Sequence, residues 1–253
     1  MAGMPRWGGL KVATYNIHKC IGIDRRRSVD RIARVIREID PDIIALQEVV
    51  SEQVRGQDYT ERDQARALAD RLGMKLLMGP AIESDSHVYG NVVLTRLDVV
   101  GHDNYDISCQ RREPRACMRV DVHLGDDRLL HFYNTHLGTT YSERCEQSRR
   151  LVKSEILKAS HPEHPQVLVG DFNDWFQGTP SRVLGDHLYD LTRRMRPTYP
   201  LGVPLLRLDR IYVNHHVRCR RVAAHTSPLA RVASDHVPIV AVIDPAAAEA
   251  KAS

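Results

Sequence analysis

Hydrophobic positions in the first third of the chain follow two alternating patterns, one typical of strands and the other typical of helices. Continuous apolar runs predict buried strands over residues 11–17 and 42–49. Between these runs, apolar side chains recur every three or four residues, at Ile32, Val35, Ile36 and Ile39. This spacing predicts a helix that Ser28 caps and Pro41 ends, because serine caps helices well and proline cannot continue them.

The rest of the chain is predicted to consist mainly of strands. A second helix over residues 60–72, with Gly73 as its C-terminal stop, precedes them. The turn Gly125-Asp126-Asp127 joins two of the strands into a hairpin, and a long helix is predicted over residues 142–159. The strands are predicted over residues 75–78, 91–95, 98–102, 116–124, 129–136, 166–169, 210–213, 220–225 and 237–243.

This order of elements predicts a mixed α+β sandwich in which helices lie outside packed β-sheets. No segment is long or polar enough to be an interdomain linker, so residues 1–253 are predicted to form a single domain. The two ends, residues 1–9 and 245–253, are expected to be flexible.

The amino-acid composition indicates which broad class of protein the chain belongs to. Apolar residues make up 42% of the chain and charged residues 27%, which are values typical of globular proteins. The sequence has no apolar run of about 18 residues and no apolar leader, so we expect a cytoplasmic protein without a transmembrane segment. Its five cysteines are irregularly spaced without a CxxC pair, which favours free thiols over disulfides or a zinc site.

The charge of the chain fits an anionic substrate. The net charge is +4, and arginine far outnumbers lysine among the 36 basic residues. Because arginine binds phosphate oxygens bidentately, this bias suits a phosphate-containing substrate, although the base composition of the genome explains it equally well. Charge alone does not distinguish nucleic acid, phospholipid and small phosphate esters.

Six short polar segments place metal-ligating or acid–base side chains at the ends of predicted strands. Strand ends meet at a common rim when sheets pack, and buried strands rarely end in carboxylates without a reason. The segments therefore predict one shared site. They are Tyr15-Asn16-Ile17-His18, Gln47-Glu48-Val49, Asn134-Thr135-His136-Leu137, Gly170-Asp171-Phe172-Asn173, Leu208-Asp209-Arg210 and Ser234-Asp235-His236.

The residue types in these segments fit hydrolysis of a phosphate ester. Oxygen ligands suit a hard cation, Mg²⁺ or Mn²⁺, with Glu48 as the first ligand and Asn16 and Asp235 beside it. His236 is predicted to take a proton from the attacking water, with Asp209 orienting its ring. His136 and Asn173, together with the metal ion, are predicted to stabilise the phosphoryl oxygens.

In their order, these segments resemble the endonuclease/exonuclease/phosphatase superfamily, which includes DNase I, neutral sphingomyelinases and inositol-polyphosphate phosphatases. The resemblance extends from the TYNIH motif at residue 14 to the SDHVPI motif at residue 234, and GDFNDW and PLLRLDRIYV are similar to a small bacterial subgroup. It implies a four-layer α/β/β/α sandwich and in-line attack by water. It also implies that Asp171 and Asn173 flank the water and the phosphoryl group.

Each residue also has a plain structural interpretation. Asn16 could end a strand in a turn, Asp171 and Asn173 could form an Asx turn, and Asp209 could pair with the neighbouring Arg210. Three further residues are weaker predictions for substrate binding. They are His18, Arg25 and Trp175, for which a loop role, a solvated charge and core packing are the respective alternatives.

The sequence thus favours a monomeric, metal-dependent phosphodiesterase acting on nucleic acid or phospholipid. An exposed apolar loop beside the site would suit a lipid, and residues 201–206 are a weak prediction for it. A phosphomonoesterase for inositol-phosphate or nucleotide-like substrates is the first alternative, because the same metal core with extra basic residues would bind a terminal phosphate. A catalytically silent binding module on the same fold is the second alternative.

Overall fold

A computed structural model describes residues 9–52, 62–125, 128–153, 156–157, 163–200 and 205–245. Most of the two ends that we predict to be flexible, residues 1–8 and 246–253, lies outside these ranges. The helices are α1 Val29–Ile39, α2 Gln64–Leu72, α3 Tyr141–Lys153, α4 Thr179–Gly185 and α5 Ala230–Ala233. The strands are β1 Leu10–Asn16, β2 Ile43–Glu52, β3 Lys75–Glu83, β4 His87–Thr95, β5 Asp98–Asp106, β6 Ala116–His123, β7 Leu129–His136, β8 Gln166–Asp171, β9 Tyr189–Asp190, β10 Asp209–Val213, β11 Val217–Ala224 and β12 Ile239–Pro245.

The strands form two mixed sheets of six strands each. Their orders are β11-β12-β1-β2-β4-β3 and β5-β6-β7-β8-β10-β9. Each sheet contains one parallel pair, β1 with β2 and β7 with β8, and its other neighbours are antiparallel. A parallel pair needs a crossover connection, and the helices α1 and α3 provide it.

Alternation of side chains along the strands produces four layers. On β1, Val12 faces the other sheet, whereas its neighbour Ala13 faces the helices. Each apolar side chain buried in this way contributes roughly 1.5–3 kcal/mol to folding. The core between the sheets includes Ile43, Val93, Phe132, Val169, Ile211 and Ile239. The helix layers add Ile32, Ile36 and Leu68 on the first sheet and Leu151 and Leu184 on the second. The α/β/β/α sandwich predicted from the sequence is confirmed.

The helix ends confirm part of the sequence analysis and correct another part. Ser28 caps α1 by accepting a hydrogen bond from the backbone N–H of Arg31 at 3.2 Å. Helix α2 ends at Gly73, as predicted, but it begins at Gln64 because Asp63 caps it. Residues 60–61, 154–155 and 158–159 of the predicted helices lie outside the described ranges. The short helices α4 and α5 were not predicted, since neither is long enough for a periodic pattern.

Two further expectations from composition can be compared with the structure. All five cysteines lie within the described ranges, and none of them forms a disulfide. Within the same ranges, no helix combines the length and the apolar character needed to cross a lipid bilayer.

A buried hydrogen-bond network joins the two sheets at one end of the sandwich. Asn134 on β7 donates from Nδ2 to the carbonyl oxygens of Leu46 at 3.0 Å and Val92 at 2.9 Å. Its Oδ1 accepts a hydrogen bond from Gln47 Nε2 at 2.8 Å. Asn134 is fully buried, so these bonds replace water that cannot reach it. They fix the position of β7 relative to β2 and β4.

We expect Asn134→Ala to lower the free energy of unfolding by about 2–4 kcal/mol, because it removes three buried hydrogen bonds, those to the carbonyl oxygens of Leu46 and Val92 and the one from Gln47 Nε2. Urea denaturation measures this change. Asn104→Ala is the control, since exposed Asn104 makes a single bond to the Pro80 carbonyl and its loss should cost no more than about 0.5 kcal/mol. Equal costs for the two variants would contradict the proposed role of the network.

Candidate active site

The sheet topology brings most of the predicted site residues to one edge of the sandwich. Asn16, His136 and Asp171 are the last residues of β1, β7 and β8. Asp209 is instead the first residue of β10, but the antiparallel pairing of β10 with β8 places it opposite Asp171. His236 precedes β12, whose antiparallel pairing with β1 returns it to the same edge. Segments that are far apart in sequence therefore converge.

Glu48 reaches the site in a different way from the one predicted. It lies within β2, not at its end, at a break in the pairing with β4 between Leu46 and Val49. Its φ of +56° is in the left-handed region that non-glycine residues rarely adopt. A bulge of this kind redirects a side chain, and it explains how a residue in the middle of a strand joins the rim.

Gly170 determines the backbone that carries Asp171. Its φ is +145°, and a Cβ atom added there would lie 1.8 Å from the carbonyl oxygen of Thr135 on β7. Glycine alone combines this backbone conformation with such a close approach. The Gly-Asp sequence thus allows β8 to end tightly against β7, with Asp171 paired to His136 in the strand register.

Asp171 is the centre of the site. Its Oδ2 accepts a hydrogen bond from Asn16 Nδ2 at 3.1 Å and lies 3.6 Å from the Nε2 atoms of both His136 and His236. Its Oδ1 accepts a hydrogen bond from the backbone N–H of Asn173 at 2.9 Å. The Asx turn proposed as an alternative is therefore present, and it coexists with contacts to three other polar side chains.

Asp209 orients His236 through a short contact. Its Oδ2 lies 2.9 Å from His236 Nδ1 and also accepts a hydrogen bond from Thr198 Oγ1 at 3.2 Å. Burial by itself would lower the pKa of His236, but the carboxylates of Asp209 and Asp171 raise it to about 10. The ring of Tyr199 packs on the imidazole, with 4.5 Å between ring centroids. Asp209 and His236 thus form the carboxylate–imidazole pair predicted from the sequence.

His136 has the opposite electrostatic character. Its complete burial lowers its pKa to about 3, although the Asp171 carboxylate opposes the shift, so the ring is neutral at physiological pH. Its Nε2 lies 3.2 Å from Asn173 Nδ2, which also donates to the carbonyl oxygen of Leu137 at 2.9 Å. With both amide hydrogens engaged, Asn173 positions His136 in this arrangement, and its contact with a phosphoryl oxygen stays a prediction.

Carboxylates gather on the side of the site that β1 and β2 form. Asn16 Nδ2 donates to Glu48 Oε1 at 3.1 Å in addition to Asp171, and Asp235 Oδ1 lies 3.6 Å from His18 Nδ1. Among the residues that the structure describes, no lysine or arginine forms an ion pair with Glu48, Asp171 or Asp235. Carboxylate oxygens that pair with no lysine or arginine suit a hard divalent cation, so the residues present fit such an ion.

Two details of this donor set bear on how an ion would be held. The Oδ1 of Asn16 accepts a hydrogen bond from the backbone N–H of His18 at 3.0 Å, so its amide must turn over before the oxygen can face a cation. Asp171, Asp209 and His236 each offer one ligand atom within 4.8 Å of the others. In this group, Asp209 Oδ2 already contacts His236 Nδ1 at 2.9 Å.

The three residues predicted to bind substrate differ in their positions. His18 lies at the site, through its contact with Asp235. Trp175 follows the Asp171 loop, is 51% exposed and lies beside Phe176, which is 85% exposed. It is therefore not packed in the core. Arg25 is exposed in a turn at φ +61°. Of the predicted apolar loop 201–206, residues 201–204 lie outside the described ranges, and Leu205 is 70% exposed.

The structure adds residues that sequence reasoning missed. Arg210 is buried and does not pair with the adjacent Asp209, because alternate residues of a strand face opposite sides. Its Nη2 donates to the carbonyl oxygen of Asp174 at 2.8 Å, and its Nη1 lies 3.4 Å from Asp190 Oδ2. Arg210 thus holds the loop that follows Asn173. The sequence signal for Arg210 was the presence of an arginine inside the apolar segment LDRIYV. Tyr199, whose ring packs on His236, was missed because its segment has no recognisable pattern.

Fold and site together define a protein that holds carboxylate, amide and imidazole side chains at one edge of a four-layer sandwich. The model of the Endonuclease/Exonuclease/phosphatase family matches residues 13–236. The protein YbhP of Escherichia coli (strain K12), described as uncharacterized, is 30% identical over 92% of this chain and 95% of its own length. The chain therefore belongs to the endonuclease/exonuclease/phosphatase family, which acts on phosphoester substrates.

Solved structures agree with the fold. An endonuclease/exonuclease/phosphatase from Beutenbergia cavernae superimposes with a TM-score of 0.77, at 24% identity, over 95% of this chain and 72% of that one. A mannosyl-6-phosphatase from Bacteroides thetaiotaomicron gives a TM-score of 0.72, at 19% identity, over 93% of this chain and 99% of that one.

We expect Gly170→Ala to lower the free energy of unfolding by at least about 3 kcal/mol, because the methyl group and the Thr135 carbonyl cannot both fit. The measurement is the loss of Tm. Gly73→Ala is the control, since Gly73 also has a positive φ but open space around its Cβ, and it should cost only about 1 kcal/mol. If Gly170→Ala lost no more stability than the control, β7 would have to be free to move aside.

Proposed function

We propose that the protein is a phosphoesterase that depends on a divalent cation, Mg²⁺ or Mn²⁺, and hydrolyses a P–O bond by in-line attack of water. The observation that carries this proposal is the position of Asp171, which contacts Asn16, His136 and His236 at the rim where both sheets end. These four side chains come from distant parts of the sequence and are almost entirely buried, so their polar groups serve one another or a ligand.

His236 would take the proton of the attacking water. Its Nδ1 is held by Asp209, which leaves Nε2 directed towards Asp171 and the reacting groups. As the water oxygen bonds to phosphorus, its proton moves to Nε2 and the bond to the leaving alkoxide breaks. The two carboxylates stabilise the imidazolium that forms. In-line geometry places the leaving alkoxide on the opposite side of phosphorus, so a solvent water protonates it to give an alcohol, and the imidazolium returns its proton to solvent. Asp171 would orient the water between the two histidines.

Glu48 would hold the cation, with Asp235 and the Asn16 oxygen beside it. When bound, the cation would draw electron density from the phosphoryl oxygens and lower the pKa of His236 towards neutrality. His136, neutral because of its burial, would donate a hydrogen bond from Nε2 to a phosphoryl oxygen, in the tautomer that carries the proton on Nε2 and after Asn173 Nδ2 has released its contact. The lowered pKa of His136 supports this role, whereas His236, with its pKa raised to about 10, acts as the base in the state whose bound cation has lowered that pKa.

His236→Ala should lower kcat on p-nitrophenyl phosphate esters by about 10²–10⁴-fold, the usual contribution of a general base. The assay uses the purified full-length protein with Mg²⁺ or Mn²⁺, and circular dichroism confirms that the variant is folded. His102→Ala is the control, because His102 is exposed on β5. Turnover by His236→Ala equal to that of the unmodified protein would refute the mechanism.

A chelator should abolish turnover, and Mg²⁺ or Mn²⁺ should restore it. Glu48→Gln should weaken binding of the metal ion in calorimetry by at least about tenfold, since the loss of even an outer partner of a metal ligand costs about 10–100-fold. Glu52→Gln, on the same strand, is the control and should bind the ion as the unmodified protein does. Unchanged affinity in Glu48→Gln would show that the cation is held elsewhere.

The candidate substrates are of two types, phosphodiesters and phosphate monoesters. The sequence favours a phosphodiester, nucleic acid or phospholipid, over a monoester. One observation supports the monoester instead: a buried arginine, Arg115, lies beside Glu48 and His136. The relative of known structure that is named a mannosyl-6-phosphatase is compatible with it, although a likeness at 19% identity concerns the fold alone. A silent binding module would bind Mg²⁺ but turn over neither type of ester.

A further inference from the structure

A small hollow adjoins the site on the side away from Asp209 and His236. Its volume is about 10 Å³, which is roughly the space of one water-sized atom. Its lining includes Glu48 and His136, which belong to the site, and also Tyr89 and Arg115, which do not. An atom in this hollow would therefore touch groups that the proposed mechanism uses and, in addition, a positively charged side chain.

Arg115 is held rigidly at the start of β6. Its side chain is 6% exposed, and its backbone N–H donates to Ser108 Oγ at 3.0 Å. Its two terminal nitrogens donate to the two carboxylate oxygens of Glu113, at 3.3 and 3.1 Å. Asn91 fixes the following peptide by donating to the carbonyl oxygen of Ala116 at 2.9 Å. The guanidinium therefore has a defined position before any ligand binds.

One edge of this guanidinium remains available. Glu113 engages both terminal nitrogens, and the Arg115 side chain also contacts the Tyr89 hydroxyl, whereas the buried Nε of Arg115 has no hydrogen-bond partner among the described residues. A guanidinium can bind oxygen atoms through the edge formed by Nε and one terminal nitrogen, and a buried donor without a partner costs about 1–3 kcal/mol. Other buried arginines also leave Nε unpartnered, but of these Arg115 lines the hollow that Glu48 and His136 share.

The charges around the hollow suit an anion. The positive charge of Arg115 lowers the pKa of His136, in addition to the larger effect of burial, which keeps that ring neutral. Tyr89 is half-buried beside the hollow, and Lys19 Nζ lies 5.6 Å from the centroid of its ring. Two cations thus flank Tyr89. Of the carboxylates near them, Glu113 pairs with Arg115, and Glu48, which lines the hollow, would be neutralised by the proposed cation.

We infer that Arg115 binds a third non-bridging oxygen of the substrate's phosphoryl group, so that the enzyme is specific for phosphate monoesters. This inference rests on the proposed phosphoesterase function and names its substrate class. A monoester carries three non-bridging oxygens, whereas a diester carries two and a second organic group. The hollow has room for one oxygen atom but not for an organic group, and only the oxygen would gain the hydrogen bond of Nε.

The reaction then yields an alcohol and inorganic phosphate. The water oxygen bonds to phosphorus, and the bond between phosphorus and the alcohol oxygen breaks. The alcohol oxygen takes a proton from solvent, and His236 returns the proton of the attacking water to solvent. The third oxygen stays on Arg115 throughout, so the guanidinium would also contact the phosphate product. Inorganic phosphate is therefore expected to be a competitive inhibitor, whereas dimethyl phosphate, which lacks the third oxygen, is not.

The test compares p-nitrophenyl phosphate, a monoester, with bis-p-nitrophenyl phosphate, a diester, using the full-length protein with Mg²⁺ or Mn²⁺. Arg115→Met should lower kcat/KM for the monoester by about 100-fold, as expected for a buried charged hydrogen bond, and should change the value for the diester by less than about threefold. It should also raise the inhibition constant of inorganic phosphate. Arg119→Met is the control, because Arg119 lies on the same strand but pairs with Asp103.

Arg115→Lys keeps the positive charge but loses the edge that contains Nε, so it should retain only part of the monoester activity of the unmodified protein. This variant replaces Arg115→Met in the test if Arg115→Met does not fold. An equal loss on both substrates in a folded Arg115 variant would show that the residue is structural and overturn the inference. Inhibition by phosphate that is unchanged in these variants would do the same. The absence of turnover of both esters by the unmodified protein would instead overturn the proposed function.

Discussion

The position of Asn134 between the two sheets is the constraint on which the site depends. Apolar packing between sheets is non-directional, so by itself it would allow one sheet to slide on the other. The hydrogen bonds of Asn134 to Leu46, Val92 and Gln47 have a fixed direction and length, and they connect the sheets close to the rim. The contact between Asn16 of one sheet and Asp171 of the other, at 3.1 Å, requires that alignment.

Two histidines share one carboxylate oxygen in this arrangement and still differ in charge. His136 and His236 both place Nε2 at 3.6 Å from Asp171 Oδ2. Only His236 has a second carboxylate, Asp209, at its other nitrogen, and this raises its pKa while burial lowers that of His136. One acidic residue and its neighbours therefore hold a charged imidazole and a neutral imidazole within a few ångströms of each other, as acid–base chemistry requires.

Sequence patterns predicted the layers of the fold and the members of the site, because both depend on local signals. Ser28 caps a helix in the structure, and Asn16 and His136 end strands, as their surroundings indicated. The bulge at Glu48 was not predictable, because a positive φ at glutamate leaves no trace in hydrophobic periodicity. Arg115 was missed for a related reason: it lies just before β6 in an arginine-rich segment, and only tertiary packing separates the buried arginine from its exposed neighbours.

Arg210 and Arg115 show how buried arginines serve different purposes at one site. Burying a guanidinium costs free energy that its ion pairs barely recover, so neither residue is explained by stability. Arg210 is bound by Asp190, by Tyr212 and by the backbone of Asp174, and this holds the loop that carries Asn173. Arg115 is bound at its far end by Glu113, contacts the Tyr89 hydroxyl and borders a hollow. An arginine enclosed by protein groups fixes a loop, whereas one that is anchored at one end and borders a hollow suits the ligand contact that we infer.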